Sequence, residues 1–250
     1  MPTITVEALA KVNLGLYVLY RRPDQYHELR TVFQTISLTD QMEIEYRPGG
    51  GPAVELDCTR ADLAGPDNLA ARAAWRLLES TGNAGRVRIH LEKRIPVGAG
   101  LGGGSSDAAA VLRALAHLLR PRPDRPLLLS LAAELGSDVP FFLVGGRAVG
   151  VGRGAEVYPL PDERARWIVV VAPSTPVSTA EAYRRLSPHL TSTLWEDKIY
   201  RLGSRICVFE PGQAGAFAEA LENDFETAVF RMHPEQIGRA SCRERVYVLV

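Results

Sequence analysis

A glycine-rich stretch that leads directly into a long, regularly spaced apolar segment restricts the fold of this chain more than any other feature. Residues 96–106 read Pro-Val-Gly-Ala-Gly-Leu-Gly-Gly-Gly-Ser-Ser. Apolar residues then recur at 108, 111, 112, 115, 118 and 119, close to the 3.6-residue period of an amphipathic helix. We therefore expect a flexible backbone loop that opens onto the N-terminus of a helix.

Such a loop is suited to binding phosphate. Glycines let the backbone turn sharply and point N–H groups inward, and the first turn of the helix adds unpaired N–H groups and a positive dipole end. Ser105 and Ser106 add hydroxyls that can donate to phosphate or ligate Mg²⁺. The loop is not a Walker A motif, because no lysine follows its glycines, and residues 92–97 separate it from the preceding strand, unlike a Rossmann loop. A flexible linker is the alternative, which the helix that follows at once disfavours.

Three further motifs are ambiguous when each is taken alone. Lys11 interrupts an apolar stretch, so it either extends its ammonium to solvent, the better expectation for a lone lysine, or is held by an acid. Asp138 stands two residues before Pro140, where it can cap a helix or, if paired with a lysine, orient a hydroxyl and accept its proton. Tyr26 and His27 are either a surface pair or a means to stack on a flat ring and hydrogen-bond its edge.

Composition excludes several function classes. Lysine plus arginine and aspartate plus glutamate number 29 each, and no basic stripe stands out, which argues against nucleic acid or an anionic membrane as a partner. We find no secretory signal and no apolar run near the roughly 18 residues that span a bilayer. Three widely separated cysteines indicate reduced thiols in a cytoplasmic protein, and the five histidines lack the spacing of a protein metal cage.

The order of strands and helices predicts an α+β fold. Strands are expected at 4–9, 14–20, 31–38, 42–46, 53–56, 87–91, 147–151 and 167–172. One helix is expected from Leu69, with Asp67 as its N-cap, and a second directly after the glycine loop. Further helices are expected at 127–135, 179–186 and 214–223, and residues 120–126 should form a loop. We place domains at 1–160 and 161–237, followed by an atypical tail at 238–250.

Together and in this order, the motifs resemble those of the GHMP kinases. The resemblance covers about residues 3–230 and is carried by seven segments: Lys11 with Asn13, Tyr26–Leu29, Asp67–Leu69, Glu92–Pro96, Gly98–Ser106, Gly136–Phe142 and Asn223–Glu226. Within the family, the match is best to kinases of a cytidyl alcohol in the non-mevalonate isoprenoid pathway.

The resemblance implies a two-domain fold, with a ribosomal protein S5 domain 2-like N-terminal domain, a ferredoxin-like C-terminal domain, here incomplete, and an active site between them. It implies transfer of the γ-phosphate of ATP, with Mg²⁺, to the 2-hydroxyl of the cytidyl alcohol. Asp138 would be the catalytic base and Lys11 its partner. Asn13, Tyr26, His27 and Tyr183 would bind the substrate. The ATP site would comprise Asn68, Lys93, Pro96, Val97, Gly98, Ala99, Gly100, Leu101, Gly102, Gly103, Gly104, Ser105 and Ser106.

The C-terminal part departs from the family pattern. Family members carry a second glycine-rich turn after the segment that corresponds to Asn223–Glu226, and residues from about Gly238 match nothing expected of them. We therefore expect low stability, poor solubility and weak activity. Two alternatives stay open: a GHMP kinase for homoserine or a mevalonate-type substrate, and a protein that binds ATP without catalysis. The oligomeric state is not predicted.

Overall fold

The computed structural model describes residues 2–162, 165, 167–170, 172, 179–186 and 223–232. The described residues form two compact units. The first contains the chain up to Lys11, Thr35–Val97 and Gly102–Gly145; the second contains Val12–Gln34, Gly98–Leu101 and the residues from Gly146 onward. Most of the helix predicted at 214–223 and the whole tail at 238–250 lie outside the described residues.

The strands form one mixed sheet. In chain order they are β1 (Thr3–Arg21), β2 (His27–Pro48), β3 (Ala53–Cys58), β4 (Gly85–Glu92), β5 (Arg147–Gly152) and β6 (Glu156–Pro159). The order is β3-β4-β2-β5-β6, and β1 pairs with β2. β3 runs parallel to β4, and β2 is antiparallel to both β4 and β5.

Alternating side chains explain why these segments are strands. In β4, Val87, Ile89 and Leu91 are buried while the residues between them are exposed. Ile89 stands opposite Ile44 of β2 in the antiparallel register.

Two predicted strand pairs are in fact single long strands. β1 covers the strands predicted at 4–9 and 14–20, and β2 covers those predicted at 31–38 and 42–46. Each strand carries one buried charged residue between the two predicted segments, Lys11 in β1 and Asp40 in β2, at 4% and 0% exposure. A polar residue in mid-strand interrupts the hydrophobic pattern without interrupting the backbone ladder.

Four helices belong to the first unit: α1 (Leu69–Thr81), α2 (Gly103–Leu118), α3 (Arg125–Leu135) and α4 (Val139–Val144). α1 packs on α2. Small buried residues on both helices, such as Ala70 and Ala74 of α1 and Ala108 of α2, allow the close approach. Leu77, Leu112 and Leu115 fill the core around them.

The observed N-termini of α1 and α3 differ from the predicted ones. Asn68, not Asp67, caps α1, because its side-chain oxygen accepts from the N–H of Ala70 at 2.9 Å. α3 begins at Arg125, within the predicted loop, where Asp124 accepts from the N–H of Leu127. Proline is tolerated in a first turn, so Pro126 does not prevent the helix from starting there.

The second unit contains β5, β6, α5 (Thr179–Leu186) and α6 (Phe225–Met232). Its apolar core comprises Leu16, Val18, Leu29, Leu186, Phe225 and Val229. The carboxylate of Asp224 anchors the start of α6, because it accepts from the N–H of Val18 at 2.8 Å. The predicted helix at 179–186 is confirmed, whereas residues 167–170 and 172 are not a strand.

No helix in the described ranges is long and apolar enough to cross a membrane.

Candidate active site

Lys11 and Asp138 form an ion pair in the first unit. Lys11 is 4% exposed, and its Nζ lies 3.4 Å from Oδ2 of Asp138. Lys11 therefore does not extend to solvent, as a lone lysine would be expected to do. Asp138 occupies the N-cap position of α4, yet its side chain makes no capping hydrogen bond and is about one-third exposed. The carboxylate faces the lysine and remains open to a ligand.

The start of α2 approaches this pair closely. Gly102 has φ +70°, and a Cβ built on it would lie 2.7 Å from Cζ of Phe142 and 3.1 Å from Cγ of Lys11. Only a glycine has both the left-handed backbone and the space that this position requires. A Cβ on Gly136 would lie 3.9 Å from Oγ of Ser105. The structure thus brings together in one unit three motifs that are far apart in sequence.

The helix begins earlier than the glycine run suggested. Gly102 is the N-cap of α2, so Gly103, Gly104, Ser105 and Ser106 form its first turn. The N–H of Ser106 already bonds to the carbonyl of Gly102 at 2.8 Å, and Ser106 is only 2% exposed. Ser105 is half-buried and Gly104 is exposed, so Ser105 is the hydroxyl that a ligand can reach.

Residues 96–101, which precede α2 in the predicted loop, are not helical and differ in exposure. Pro96, Val97 and Gly98 are exposed, whereas Leu101 is 1% exposed. Gly98 and Gly100 both adopt positive φ, of 72° and 62°. Ala99 and Gly100 are half-buried.

The two other residues predicted near ATP have intramolecular partners. The amide of Asn68 caps α1 and also donates to the carbonyl of Leu63 at 3.0 Å. The Nζ of Lys93 contacts Asp40 and lies 3.0 Å from Oδ2 of Asp107. Contact of either residue with nucleotide stays a prediction.

The aromatic residues predicted to bind the substrate lie in the second unit. His27 stacks on Tyr183, with ring centroids 4.7 Å apart and planes 17° apart. The rings of Tyr183 and Phe225 pack edge to face, with centroids 4.7 Å apart. Burial, and then the charge of Arg21, lower the pKa of His27 below its usual value. His27 is therefore neutral at pH 7, with one ring nitrogen able to donate and the other to accept.

Tyr26 is about half-exposed and presented by a turn. Gln25 adopts φ 72°, and the N–H of Arg22 donates to the carbonyl of Tyr26 at 2.7 Å. The guanidinium carbon of Arg153 lies 4.7 Å from the centre of the Tyr26 ring. Separately, Asn13 donates to Oγ1 of Thr31 at 2.7 Å, which fixes the orientation of its amide.

Sequence reasoning missed several residues of these groups. Arg153 lies in a Gly-Arg-Gly turn that no motif marked, and Asp224 was noted only as part of a family segment. Asp40 and Asp107 were not singled out, because Asp40 stands between Thr39 and Gln41 and Asp107 directly follows Ser106, as an exposed aspartate could.

Comparison with known proteins relates the chain to a family. A family model described as the GHMP kinases N terminal domain matches residues 68–146, which include α2 and Asp138. A Solibacter usitatus protein named 4-diphosphocytidyl-2-C-methyl-D-erythritol kinase is 50% identical over 234 residues, covering 92% of this chain and 71% of the relative. The chain belongs to the 4-diphosphocytidyl-2-C-methyl-D-erythritol kinase family. Another member, from Desulfitobacterium hafniense, is 39% identical and covers 91% and 75% of the two chains.

Solved structures agree with membership of this kinase family. A crystal structure of a 4-(cytidine 5'-diphospho)-2C-methyl-D-erythritol kinase matches with a TM-score of 0.68 and 39% identity, over 95% of this chain and 81% of that one. Homoserine kinase from Cytophaga hutchinsonii matches with a TM-score of 0.65 at 18% identity, over 89% of this chain and 72% of that one. At that identity the likeness shows the fold alone. The predicted family and α+β fold are confirmed.

Proposed function

We propose that this chain transfers the γ-phosphate of ATP to the 2-hydroxyl of 4-diphosphocytidyl-2-C-methyl-D-erythritol, using Asp138 and Lys11. The observation that carries the proposal is the Lys11–Asp138 pair beside Gly102 at the start of α2. Relatives 39% and 50% identical over more than nine-tenths of this chain bear that kinase name and support the choice of acceptor. The matches to homoserine and mevalonate kinases, at 18% identity or below, support no other acceptor.

The chemistry needs a base and a fixed cation. Asp138 accepts a hydrogen bond from the acceptor hydroxyl and takes its proton as the oxygen attacks the γ-phosphorus. The bond from that phosphorus to the bridging oxygen breaks, and ADP leaves. Lys11, held at 3.4 Å from Asp138, orients the carboxylate and places a positive charge where the transferring phosphoryl group is most negative.

The residues of the glycine loop hold the triphosphate in this proposal. Gly102 packs closely against Phe142 and Lys11, which fixes the start of α2 beside the Lys11–Asp138 pair. The first turn of α2 supplies N–H groups and a positive dipole end. Lys93 and Asn68 complete the nucleotide site, Asn68 by fixing the start of α1.

We assign Mg²⁺ to the phosphate oxygens of ATP. Among the residues that the structure describes, no group of three or more His, Cys, Asp or Glu side chains could hold a metal ion. Bound by the phosphate oxygens, Mg²⁺ would neutralise part of their charge. Ser105 is the protein hydroxyl best placed to reach it. We place the reaction in the cytoplasm, where ATP is supplied.

Cytosine recognition falls to Tyr26, His27 and Tyr183, with Asn13 oriented by Thr31 for a contact with the acceptor. A neutral His27 can accept from the exocyclic amine of cytosine or donate to its carbonyl. Because His27 and Tyr183 are in direct stacking contact, the base cannot lie between those two rings without separating them. In this proposal the cytosine stacks on the face of Tyr183 that is turned away from His27, or Tyr183 moves aside.

Replacing Tyr183 tests this assignment. Tyr183→Ala removes a stacking face, and we expect KM for the cytidyl alcohol to rise about ten- to a hundredfold, while KM for ATP stays within about twofold. Tyr183→Phe keeps the ring and should behave like the unmodified protein. Tyr158→Ala, at an exposed tyrosine of β6, is the matched control. An equal rise in both KM values would place Tyr183 outside the cytidine site.

The proposed activity itself is tested by ADP release from the purified chain with ATP and Mg²⁺. We expect turnover with 4-diphosphocytidyl-2-C-methyl-D-erythritol and none above background with homoserine or mevalonate. Turnover with either control acceptor at a comparable kcat/KM would reject the assigned substrate.

A further inference from the structure

The chain that enters α6 is attached to β1 by hydrogen bonds of its backbone and of one side chain. The N–H of Asp224 donates to the carbonyl of Leu16 at 3.0 Å, and the N–H of Val18 donates to Oδ2 of Asp224 at 2.8 Å. Asn223 also forms an isolated parallel bridge with Leu16. Because the carboxylate is charged, its bond to Val18 is stronger than one between neutral groups. Asp224 therefore fixes the chain to two neighbouring points of one strand.

The first turn of α6 is fixed in the same way. Oδ1 of Asn223 accepts from the N–H of Phe225 at 3.0 Å, and the carbonyl of Asn223 accepts from the N–H of Glu226 at 3.0 Å. These bonds satisfy two N–H groups that would lack partners at the start of a helix. Phe225, the first residue of α6, is 4% exposed. Its side chain thus leaves a backbone that is held on both sides.

The ring of Phe225 contacts the aromatic residues that we assign to the cytosine. It packs edge to face on Tyr183, with planes 88° apart and centroids 4.7 Å apart. Tyr183 is in turn stacked on His27. An edge-to-face contact is one of the preferred geometries of two aromatic rings, so it favours one orientation of each ring. Two neighbouring rings therefore determine the orientation of Tyr183.

Both stacked rings are supported by the same pair of strands. His27 is the first residue of β2, which pairs with β1. Tyr183 is connected to β1 through Phe225 and then Asp224. All of these residues belong to the second unit. The distance between the rings of His27 and Tyr183 therefore depends on how the start of α6 is held.

Packing alone does not require a ring at position 225. Phe225 belongs to the apolar core of the second unit together with Leu16, Leu186 and Val229. A leucine in its place would also bury apolar surface in that core. A leucine has no ring edge to place against Tyr183, so only the aromatic side chain can hold that ring in an edge-to-face contact.

We propose that Asp224 and Phe225 are positioning residues for the cytidyl alcohol, which act through Tyr183 by holding its ring in the orientation that receives the cytosine. This inference rests on the proposed function, because it requires Tyr183 to contact the base. A side chain that is already ordered loses little rotamer freedom when a ligand stacks on it, and this preorganisation raises affinity. Without Phe225, the ring of Tyr183 must be ordered as the substrate binds, which weakens binding.

Steady-state kinetics of Phe225→Leu, with each substrate varied in turn, measure this effect. KM for the cytidyl alcohol should rise about three- to tenfold, the scale of one aromatic pair, while kcat and KM for ATP stay within about twofold. Val229→Ala is the control, because it removes two methyl groups from the same core and no ring. It should lower the melting temperature at least as much as Phe225→Leu does, and should leave both KM values unchanged.

A double-mutant cycle with Tyr183→Ala separates positioning from a general effect of packing. The rise in KM caused by Phe225→Leu should disappear in the Tyr183→Ala background, because Phe225 acts through that ring. An equal proportional rise in both backgrounds, or no rise in the presence of Tyr183, would overturn the inference. If Tyr183→Ala alone leaves KM for the cytidyl alcohol unchanged, the cytosine site of the proposed function is rejected instead.

Asp224→Asn replaces Phe225→Leu in this cycle if that variant does not fold. The asparagine has the size of aspartate but no charge, which weakens its bond to the N–H of Val18. KM for the cytidyl alcohol should rise about two- to fivefold when Tyr183 is present and should not change when it is absent. The matched control is Asp62→Asn, at an exposed aspartate paired with Arg60, which should not change either KM. An Asp224→Asn protein with the KM of the unmodified chain would contradict the inference.

Discussion

Asp138→Asn is expected to lower kcat by about a thousandfold or more while leaving the Kd for ATP within about threefold. The asparagine has the size of aspartate and can still accept a hydrogen bond, but it cannot take the proton of the acceptor hydroxyl. The side chain caps no helix in the structure, so its replacement should not unfold α4. Single-turnover phosphoryl transfer and calorimetric ATP binding together separate loss of chemistry from loss of binding.

The control for this variant is Asp57→Asn, which changes an exposed aspartate paired with His90 on the surface of the sheet. It should turn over like the unmodified protein. Unchanged turnover in Asp138→Asn would remove Asp138 from the mechanism. A matching loss of ATP affinity would make it a binding residue in place of a base.

Gly102→Ala should destabilise the fold and impair use of ATP. An alanine there would adopt a left-handed φ of +70° and place its methyl group 2.7 Å from Phe142. The backbone strain and the overpacking together predict a loss of about 2–4 kcal/mol in the free energy of unfolding. Because relief of the clash moves the start of α2 or Lys11, kcat/KM for ATP should fall by at least tenfold.

Gly98→Ala separates the two causes. Gly98 has nearly the same φ, +72°, but a Cβ on it would have no atom within 4 Å. Gly98→Ala should lower the free energy of unfolding by about 1 kcal/mol, from the strain of the left-handed backbone alone. Denaturant unfolding of both variants measures the difference. Equal destabilisation would show that the close approach of Phe142 and Lys11 to Gly102 has no energetic consequence.

Much of the fold could be predicted because its signals are local. The period of α2 and the alternation of β4 are visible in a few neighbouring residues, and the structure has both elements. The helix starts were less certain, since Asp67 and Asn68 are both good capping residues and only the backbone geometry selects Asn68. The continuity of β1 and β2 was missed, because Lys11 and Asp40 are polar where an uninterrupted strand of this kind would have apolar side chains.

The pairing of distant charges could not be predicted from spacing. Lys11 and Asp138 are 127 positions apart, and each had a simpler interpretation, as a solvent-exposed lysine and as a helix cap. Only the fold places them at 3.4 Å. Lys93 was assigned to the nucleotide because of the family segment around it, and its buried partners were not foreseen. Asp107 follows Ser106 directly, yet nothing in the sequence shows that its carboxylate points into the protein.

The measurement that tests the central claim most directly is a ³¹P NMR spectrum of the complete reaction with 4-diphosphocytidyl-2-C-methyl-D-erythritol, ATP and Mg²⁺. We predict a new phosphomonoester resonance that grows in step with ADP, retains the diphosphate signals of the substrate, and is absent with Asp138→Asn. A spectrum in which ATP yields only inorganic phosphate, or in which ATP binds and no phosphorus resonance changes, would contradict the assignment of this chain as the kinase of that alcohol.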